Sequence, residues 1–430
     1  MKRMLRQTWR LLRESPVLSI VGILGTALAI GMLMMSVMKE RVRTAPFYPS
    51  VHRDRYLYIK TMNSYDEEQG IGTGSNSHCN PNYLKEFEGL EHVVAEAIYT
   101  NSGPKVVSVA GEKSFETVDY KGVNADYWKV FEFEFVEGLP FAEAEVEAGM
   151  PIAVVSQSLA RRLFGEKSAV GQQIEVSFKL VTICGVVRDA SSYVYEGYAK
   201  LYMPYTCMAE MEWDPHCGTA NACFLVDSRR NMESVRAQII ARNEQHNAAM
   251  KGTGSRLANL RGQPDDQLTV SYRVWSNEAP DVQGAMRQFY IKMLIILLVP
   301  AVNLMAVASA RMRRRYVELG VRKTYGARPW QLMWQMFSES LVQTLCGGML
   351  GLGLALAGAY ALRATFFDSY ALESIYSAAL YDKLPLGAIF SIREFGLVLL
   401  FSFVLNVLSV LLPSWWISRR PIVESLNTRK

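Results

Sequence analysis

The stretch VLSIVGILGTALAIGMLMMSVM, residues 17–38, contains no charged side chain. With about 1.5 Å of rise per residue, a helix of this length crosses the roughly 30 Å hydrocarbon core of a bilayer. Basic residues precede the stretch, as they do in a signal peptide. The apolar run is nevertheless longer than the about 7–15 residues of a signal core, and no small-residue cleavage site follows it closely. The stretch therefore predicts a membrane anchor.

Three more apolar runs follow, at residues 291–310, 341–362 and 395–417, and Lys292 is their only charged residue. Four spans predict an integral α-helical membrane protein. Lys and Arg concentrate in the N-terminal tail, in residues 311–328 and in the C-terminal tail, which predicts that both termini and this linker are cytoplasmic. Because orientation accounts for most of the net charge of +5, we predict no nucleic-acid partner.

The long segment between the first two spans predicts a large mixed α+β extracytoplasmic domain with two lobes. It contains the strand-like runs VVSVAG, PIAVVS, QQIEVSF and LVTICGVV, and CFLVD followed by a helix over 231–249. The run SQSLARRLFG predicts a helix that begins near Ser156 and ends before Gly165. LTVSYRVW, residues 268–275, is typical of a last strand before the second span.

These patterns divide the chain into nine segments. In order they are a cytoplasmic amphipathic helix (1–16), the first span (17–38), the extracytoplasmic domain (39–288), the second span (289–310), a cytoplasmic linker (311–335), the third span (336–362), an extracytoplasmic loop (363–394), the fourth span (395–417) and a cytoplasmic tail (418–430).

The linker has a specific pattern, RRRYVELGVRKTYGARP over residues 313–329. It predicts a helix that continues out of the second span, with Glu318 and Arg322 spaced for an i,i+4 ion pair. Gly326 suits the end of that helix and Pro329 the first position of the next one. One interpretation is an amphipathic surface segment whose cations only fix the topology.

A second interpretation rests on a resemblance. ELGVRKTYGARPWQLMWQMFSES, residues 318–340, strongly resembles the segment between the second and third spans of MacB/FtsX-type ABC transporter permeases. Residues 120–141, 151–176 and 181–190 look like the extracytoplasmic domain of MacB-like permeases. The ending PSWWISRRPIVESL is similar to the family's tail, with one extra residue between Pro421 and Glu424.

The resemblance implies that the linker is a coupling helix that docks on a separate ABC ATPase subunit. The contact residues would be Glu318, Gly320, Arg322, Lys323, Gly326, Ala327, Arg328, Pro329 and Trp330. No G-x-x-x-x-G-K-[ST] motif occurs in the chain, so we expect no cofactor and no catalytic site here, with ATP and Mg bound by the partner. The other implied partners are a second permease copy, in a homodimer or a related heterodimer, a periplasmic or outer-membrane protein, and the lipid bilayer.

Within this class three functions compete: export of a periplasmic substrate, release of lipoproteins, and regulation of a cell-wall hydrolase. The MacB-like domain favours export from a bacterial inner membrane by mechanotransmission. A membrane-anchored sensor or scaffold without ATP coupling is the alternative from another class.

Other residues give weaker signals. Gly347 and Gly351 have the small-xxx-small spacing that lets helices approach closely. Cys217 and Cys223 are close enough in sequence to form a disulfide in an oxidising compartment, or they stay free. No zinc-module spacing surrounds the His-Cys pairs, so no metal is predicted. Four glutamates over 137–147 are typical of a solvated acidic loop.

Overall fold

The structure is a computed structural model. It describes residues 16–68, 70, 75–101, 103–208, 214–273, 278–314, 329–362 and 389–418. These residues form two compact units, which we call the helical unit and the α+β domain. The helical unit contains described residues up to Arg41 and from 283 onward, and the α+β domain contains those within 42–282.

Helices are numbered here in chain order over the described residues. They are α1 Pro16–Thr44, α2 Pro81–Leu84, α3 Tyr127–Val130, α4 Glu143–Glu147, α5 Gln157–Phe164, α6 Met232–Met250, α7 Gln267–Tyr272, α8 Val282–Arg314, α9 Pro329–Ala361 and α10 Ile392–Ser418. The strands are β1 Tyr56–Ile59, β2 Met62–Tyr65, β3 Ser75–Cys79, β4 Val93–Thr100, β5 Gly103–Val109, β6 Glu116–Val123, β7 Phe135–Gly138, β8 Ile152–Ser156, β9 Gln173–Val176, β10 Lys179–Val187, β11 Leu201–Pro204, β12 Cys217–Gly218, β13 Ala220–Val226, β14 Leu257–Asn259 and β15 Asp265–Asp266.

Long helices cover all four predicted spans. Among the residues whose side chains are described, two stretches are long and apolar enough to cross a membrane, Ser19–Thr44 in α1 and Leu341–Ala361 in α9. Helices α8 and α10 include the residues of the other two predicted spans. That the chain crosses the membrane four times stays a prediction. The N-terminal amphipathic helix, the loop over 363–388 and the C-terminal tail lie outside the described residues.

One part of the α+β domain is a closed barrel. Six strands follow each other around it in the order β11, β8, β10, β9, β5 and β6, and a parallel pairing of β6 with β11 closes the ring. Its core contains Val107, Val155 and Ile174. Helix α5 follows β8 and precedes β9, and it begins and ends as predicted. Ser156 accepts a hydrogen bond from the Leu159 amide, and Gly165 follows the last residue.

The rest of the domain is an open, mostly antiparallel sheet. It is centred on β13, which pairs with β4 and β1, and extends through β3 and β2 to β14. One face carries an aromatic core that includes Tyr99 and Tyr127, and the other face packs against α2 and α6 through residues such as Tyr83 and Val235. Strands β4 and β6 join this sheet to the barrel.

The predicted last strand, LTVSYRVW, is wrong. Residues 267–272 form helix α7, because the Asp266 carboxylate accepts a hydrogen bond from the Thr269 amide at 2.7 Å. Such an N-cap stabilises a helix by about 1 kcal/mol, which outweighs the β-propensity of a short run with Thr and Val. The predicted strands β5, β8, β9, β10 and β13 and the helix after β13 are confirmed.

Candidate functional site at the end of the first helix

The last turn of α1 is held by an arginine from the loop that follows it. The final carbonyl groups of a helix have no partner within the helix and need donors from elsewhere. Arg53 Nη1 donates to the carbonyl oxygens of Val42 at 3.1 Å and Ala45 at 3.3 Å. Arg53 is 2% exposed, and its guanidinium lies 4.7 Å from the centre of the Phe47 ring. A cation here also stabilises the negative end of the helix dipole.

A second set of contacts holds the same turn from α7. Gln267 Nε2 donates to the carbonyl oxygen of Arg43 at 2.7 Å, and Gln267 Oε1 accepts from the hydroxyl of Tyr58 at 2.7 Å. The guanidinium of Arg43 lies 5.7 Å from the centre of the Tyr272 ring. Tyr58 is a fully buried residue of β1, a strand of the open sheet. Gln267 therefore links the end of α1 to that sheet.

A buried ion pair adds charge to this region. The ammonium of Lys60 donates directly to the carboxylate of Glu196, and both side chains are largely buried. Burial alone would raise the pKa of Glu196. The positive charges of Lys60 and Arg53 outweigh burial and lower the pKa to about 2. Arg53 therefore stabilises a buried carboxylate as well as the helix end.

The barrel contributes a further buried cation. Lys121 on β6 donates from Nζ to the carbonyl oxygens of Tyr195 at 2.8 Å and Glu196 at 3.0 Å, and it lies 5.1 Å from the centre of the Tyr99 ring. Burial lowers the pKa of Lys121 to about 7, and attraction to Glu196 opposes only part of that shift. The network that begins at the end of α1 thus reaches a barrel strand.

Within the helical unit, α1 and α9 approach closely at glycines. A Cβ atom on Gly351 would lie 2.6 Å from the carbonyl oxygen of Ala27, and one on Gly347 would lie 2.8 Å from Thr26 Cβ. Gly31 on α1 faces the same contact, because its Cβ would lie 3.3 Å from the Gly351 carbonyl oxygen. A Cβ atom does not fit at Gly347 or Gly351 without a shift, so glycine at these two positions lets the helices approach closely.

An ion pair joins α1 to α10 in the same unit. Arg41 Nη1 lies 2.7 Å from Glu394 Oε1, and both side chains are partly buried. Glu394 lies in the first turn of α10, where the helix dipole favours an anion.

The contacts described above are structural: they hold the end of α1 and the helix–helix approaches of the helical unit. Over the residues that the structure describes, no group of three or more His, Cys, Asp or Glu side chains is arranged to hold a metal ion. The hydrogen bonds of Arg53 and Gln267 hold residues 42–45, at the end of α1, within the α+β domain.

Comparison with known families agrees with this architecture. A model described as the MacB-like periplasmic core domain matches residues 17–242, more than half of the chain, and one described as the FtsX-like permease C-terminal matches residues 290–422. This chain belongs to the MacB/FtsX-type ABC transporter permeases. It is therefore a membrane protein of a transporter family.

Similar permeases come from several bacteria. The chain is 26% identical to the uncharacterized ABC transporter permease YknZ of Bacillus subtilis, over 64% of this chain and 64% of YknZ. It is 27% identical to the pyoverdine export ATP-binding/permease protein PvdT of Pseudomonas entomophila, over 60% of this chain and 38% of PvdT. It is 23% identical to the macrolide export ATP-binding/permease protein MacB of Vibrio parahaemolyticus, over 75% of this chain and 48% of MacB. The chain thus spans less than two thirds of each of these relatives.

The predicted ATPase contact of this permease lies mostly outside the described residues. Pro329 is the first residue of α9 and Trp330 the second. The remaining predicted contact residues are not described by the structure: Glu318, Gly320, Arg322, Lys323, Gly326, Ala327 and Arg328.

The structure does not bring the predicted disulfide pair together. Cys217 and Cys223 are both buried and neither forms a disulfide; they lie in the cores on opposite faces of the open sheet. Cys217 is instead the cross-strand neighbour of Cys79 on β3. Only five residues lie between the two predicted partners in sequence, but strands β12 and β13 place their side chains in different cores.

Sequence reasoning missed the residues that anchor α1. Arg53 occurs in the polar run HRDR, which is typical of an exposed turn, and Gln267 precedes a run interpreted as a strand. Their partners are distant in sequence, such as Tyr58 and Arg43 for Gln267. A signal was available only in the Asp266 cap, which predicts the start of a helix.

Proposed function

We propose that this chain is the membrane subunit of an ABC exporter that works by mechanotransmission. A separate ATPase subunit would bind ATP and Mg and dock on the cytoplasmic linker over 311–335. Two permease copies, identical or related, would carry the motion to their extracytoplasmic domains, which act on a substrate outside the bacterial inner membrane. Both termini would be cytoplasmic. The printed names of the PvdT and MacB relatives, which both include export, support this direction.

The observation that carries the proposal is the attachment of α1. Its last residues, from Val42 to Thr44, belong to the α+β domain, and Arg53 and Gln267 hold their carbonyl groups by hydrogen bonds. A helix end bound on two sides cannot rotate or tilt without displacing the groups bound to it. A movement of the span would therefore become a movement of the domain. A flexible tether, sufficient for an anchored sensor, needs no such contacts.

The test is to measure that motion. The permease and an ATPase encoded beside it are reconstituted in lipid nanodiscs, with a fluorophore introduced through a non-natural amino acid at Glu166. This residue is exposed and follows α5. Energy transfer between the two permease copies is compared without nucleotide and with ATP plus vanadate.

We expect the distance between the two labels to change when nucleotide is trapped, and to stay unchanged when the ATPase carries an inactivating substitution in its own nucleotide site. A complex that hydrolyses ATP while the distance remains constant would contradict mechanotransmission.

A further inference from the structure

An open acidic cleft of about 430 Å³ lies in the α+β domain, away from the α1 attachment. Five carboxylates line it, together with a single basic lining residue, Lys85. These carboxylates come from four separate segments of the chain: Glu88 after α2, Glu96 on β4, Asp126 before α3, and Glu143 and Glu147 on α4. The predicted acidic loop is thus partly helical, and two of its glutamates face a concave surface.

Glu96 is the unusual member of this set. It is 8% exposed, and its Oε1 atom is buried with no hydrogen-bond partner among the described residues. Its backbone is fixed, because the Glu96 carbonyl oxygen accepts from Asn124 Nδ2 at 2.8 Å. Asn124 Oδ1 in turn accepts from the Ile98 amide at 3.1 Å. A buried carboxylate oxygen without a donor costs folding free energy, so it needs an explanation.

The charges around Glu96 do not supply its missing partner. Burial and the neighbouring carboxylates Glu88 and Asp126 raise the pKa of Glu96 well above its ordinary value, and Arg242 opposes that shift only in part. Arg242 is itself engaged, since Nη1 donates to the carbonyl oxygens of Glu86 at 2.8 Å and Glu88 at 2.6 Å. Asp126 contacts Lys129 at 2.6 Å. Glu96 therefore keeps its proton to a higher pH than usual.

Apart from Gly89 and Asn124, the remaining lining residues are apolar. Leu90, Val93, Ala95 and Ile98 contribute to the walls, and Val94 is 60% exposed there. A bare metal ion gains nothing from such walls, and over the described residues no group of three ligands is arranged to hold one. A ligand that combines a positive charge with apolar carbon atoms would use both kinds of lining.

We propose that this cleft binds a small organic cation, an ammonium or guanidinium group on an apolar body, with the carboxylate of Glu96 as its counter-ion. The cation would take the place of the proton on Glu96 and compensate the charge of its carboxylate. Binding itself does not depend on the export function. The further step, that the bound cation is cargo, rests on the proposed function.

The test is titration calorimetry on the full-length chain in nanodiscs, with phenethylammonium as the cation and phenethyl alcohol as its neutral analogue. We expect phenethylammonium to bind at least about tenfold more tightly than the alcohol, the difference of a charge-assisted hydrogen bond. Equal affinities would overturn the proposal, and so would binding of calcium chloride without binding of phenethylammonium. Tighter binding of the blocked peptide Ala-Lys-Ala would assign the cleft to a protein segment and overturn the small-molecule ligand.

Two variants locate the effect. Glu96→Gln keeps the shape of the side chain, and we expect it to weaken phenethylammonium binding at least about tenfold. Glu166→Gln removes one carboxylate on the exposed barrel surface outside the cleft and should leave the affinity unchanged. If Glu96→Gln binds as tightly as the unmodified chain, the proposal is wrong.

The pH dependence of phenethylammonium binding distinguishes a Glu96 that acts as the counter-ion from a Glu96 that only maintains the structure of the cleft. Because the cation replaces a proton, the affinity of the unmodified chain should rise with pH above the range in which an ordinary glutamate titrates, and the rise should be absent in Glu96→Gln. Glu88, Asp126, Glu143 and Glu147 and the cations Lys85 and Arg242 are present in both proteins, so they contribute equally to the two curves. Parallel curves would contradict the proposal. If the cation does not bind as expected while nucleotide still moves the α+β domain, the cation proposal is wrong and the exporter proposal is unaffected.

Discussion

Lys121 places an ammonium in a fully buried site on the barrel strand β6. Burial lowers its pKa from the ordinary 10.5 to about 7. Between these two values the unfolded chain binds a proton that the folded chain lacks, so this residue makes stability rise with pH across that interval. Below about pH 7 the folded protein carries the full cost of the buried charge.

We therefore expect the melting temperature of the full-length chain in detergent to rise from about pH 7.5 to about pH 9.5 relative to that of Lys121→Met. The corresponding slope of the free energy of unfolding is about 1.4 kcal/mol per pH unit at most. Lys113→Met, at an exposed position, is the matched control and should run parallel to the unmodified chain. Parallel curves for Lys121→Met would show that the buried ammonium does not titrate in this range.

The pairing of β3 with β12 places two cysteines side by side and predicts a disulfide between them. Cys79 and Cys217 face each other, and the Asn80 amide donates to the His216 carbonyl at 2.8 Å, which marks them as a non-hydrogen-bonded pair. The Cα atoms of such pairs lie about 4.5 Å apart, within the range that a disulfide spans. On refolding with oxidised glutathione, which is reduced as the two thiols lose their protons and electrons, we expect a Cys79–Cys217 bond.

Peptide mass spectrometry checks that bond. Cys79→Ser should abolish the cross-linked peptide and Cys223→Ser should leave it unchanged. A peptide that links Cys217 to Cys223 would contradict the register of β3 and β12.

Individual residues could be predicted where the chemistry is local. Ser156 and Gly165 bracket α5 because a side-chain oxygen satisfies the first amides and a glycine accepts the left-handed turn at the end. Arg53 and Lys121 could not be predicted, because their partners lie in other segments and nothing in the flanking residues specifies burial.

At the scale of elements, the contact between α1 and α9 can be tested by comparing two glycine-to-alanine substitutions on α9. Gly351→Ala places a Cβ 2.6 Å from the carbonyl oxygen of Ala27, which forces the two helices apart. Gly353→Ala, half a turn away, meets nothing within 4 Å. Overpacking of this kind costs about 1–3 kcal/mol, so we expect Gly351→Ala to lower the melting temperature in detergent.

Gly353→Ala should keep or raise the melting temperature, because alanine favours a helix over glycine. Equal melting temperatures for the two variants would mean that α1 and α9 are not in contact at this point.

The attachment of α1 predicts an uncoupled variant. Arg53→Met removes the donors to Val42 and Ala45 and the charge that stabilises Glu196. In the labelled nanodisc complex we expect ATP hydrolysis to continue while the nucleotide-dependent distance change between the α+β domains is reduced. Arg53→Lys, which keeps the charge without the fork of donors, should retain part of the change.

The control for Arg53→Met is Arg162→Met, which breaks the surface pair with Glu116. This variant should retain the full distance change. An Arg53→Met complex that moves like the unmodified one would mean that the helix end is not the route of transmission.

Secondary structure was predictable wherever the hydrophobic period was unambiguous. The barrel strands follow alternating patterns with Val and Ile, and the apolar runs of α1 and α9 correspond to long helices. The prediction of a strand over residues 268–275 was wrong. The alternation of apolar and polar residues favours a strand, but the Asp266 cap and the contacts of Gln267 favour the helix that residues 267–272 form. Tertiary contacts outweigh propensity in so short a segment.

For the whole molecule, the sequence indicated a membrane protein with one large inserted α+β domain, and the family models agree. Closure of the barrel could not be predicted, because β6 ends at Val123 and its partner β11 begins only at Leu201, with helices α3 to α5 and strands β7 to β10 between them. The acidic cleft likewise assembles carboxylates from four segments that no local pattern connects.

The central claim is that an ATPase docks on the linker and that this contact couples hydrolysis to the permease. The most direct measurement is co-purification of the full-length chain with ATPases encoded beside it, with ATP hydrolysis compared between the unmodified chain and the double variant Glu318→Lys, Arg322→Glu. The exchange of both charges preserves their attraction for each other, so a linker helix without a partner would tolerate it. We expect an ATPase to bind the unmodified chain, and the double variant to lose the complex or its coupled hydrolysis. If no ATPase binds, or if the exchange changes neither binding nor hydrolysis, the account is wrong and an anchored sensor or scaffold takes its place.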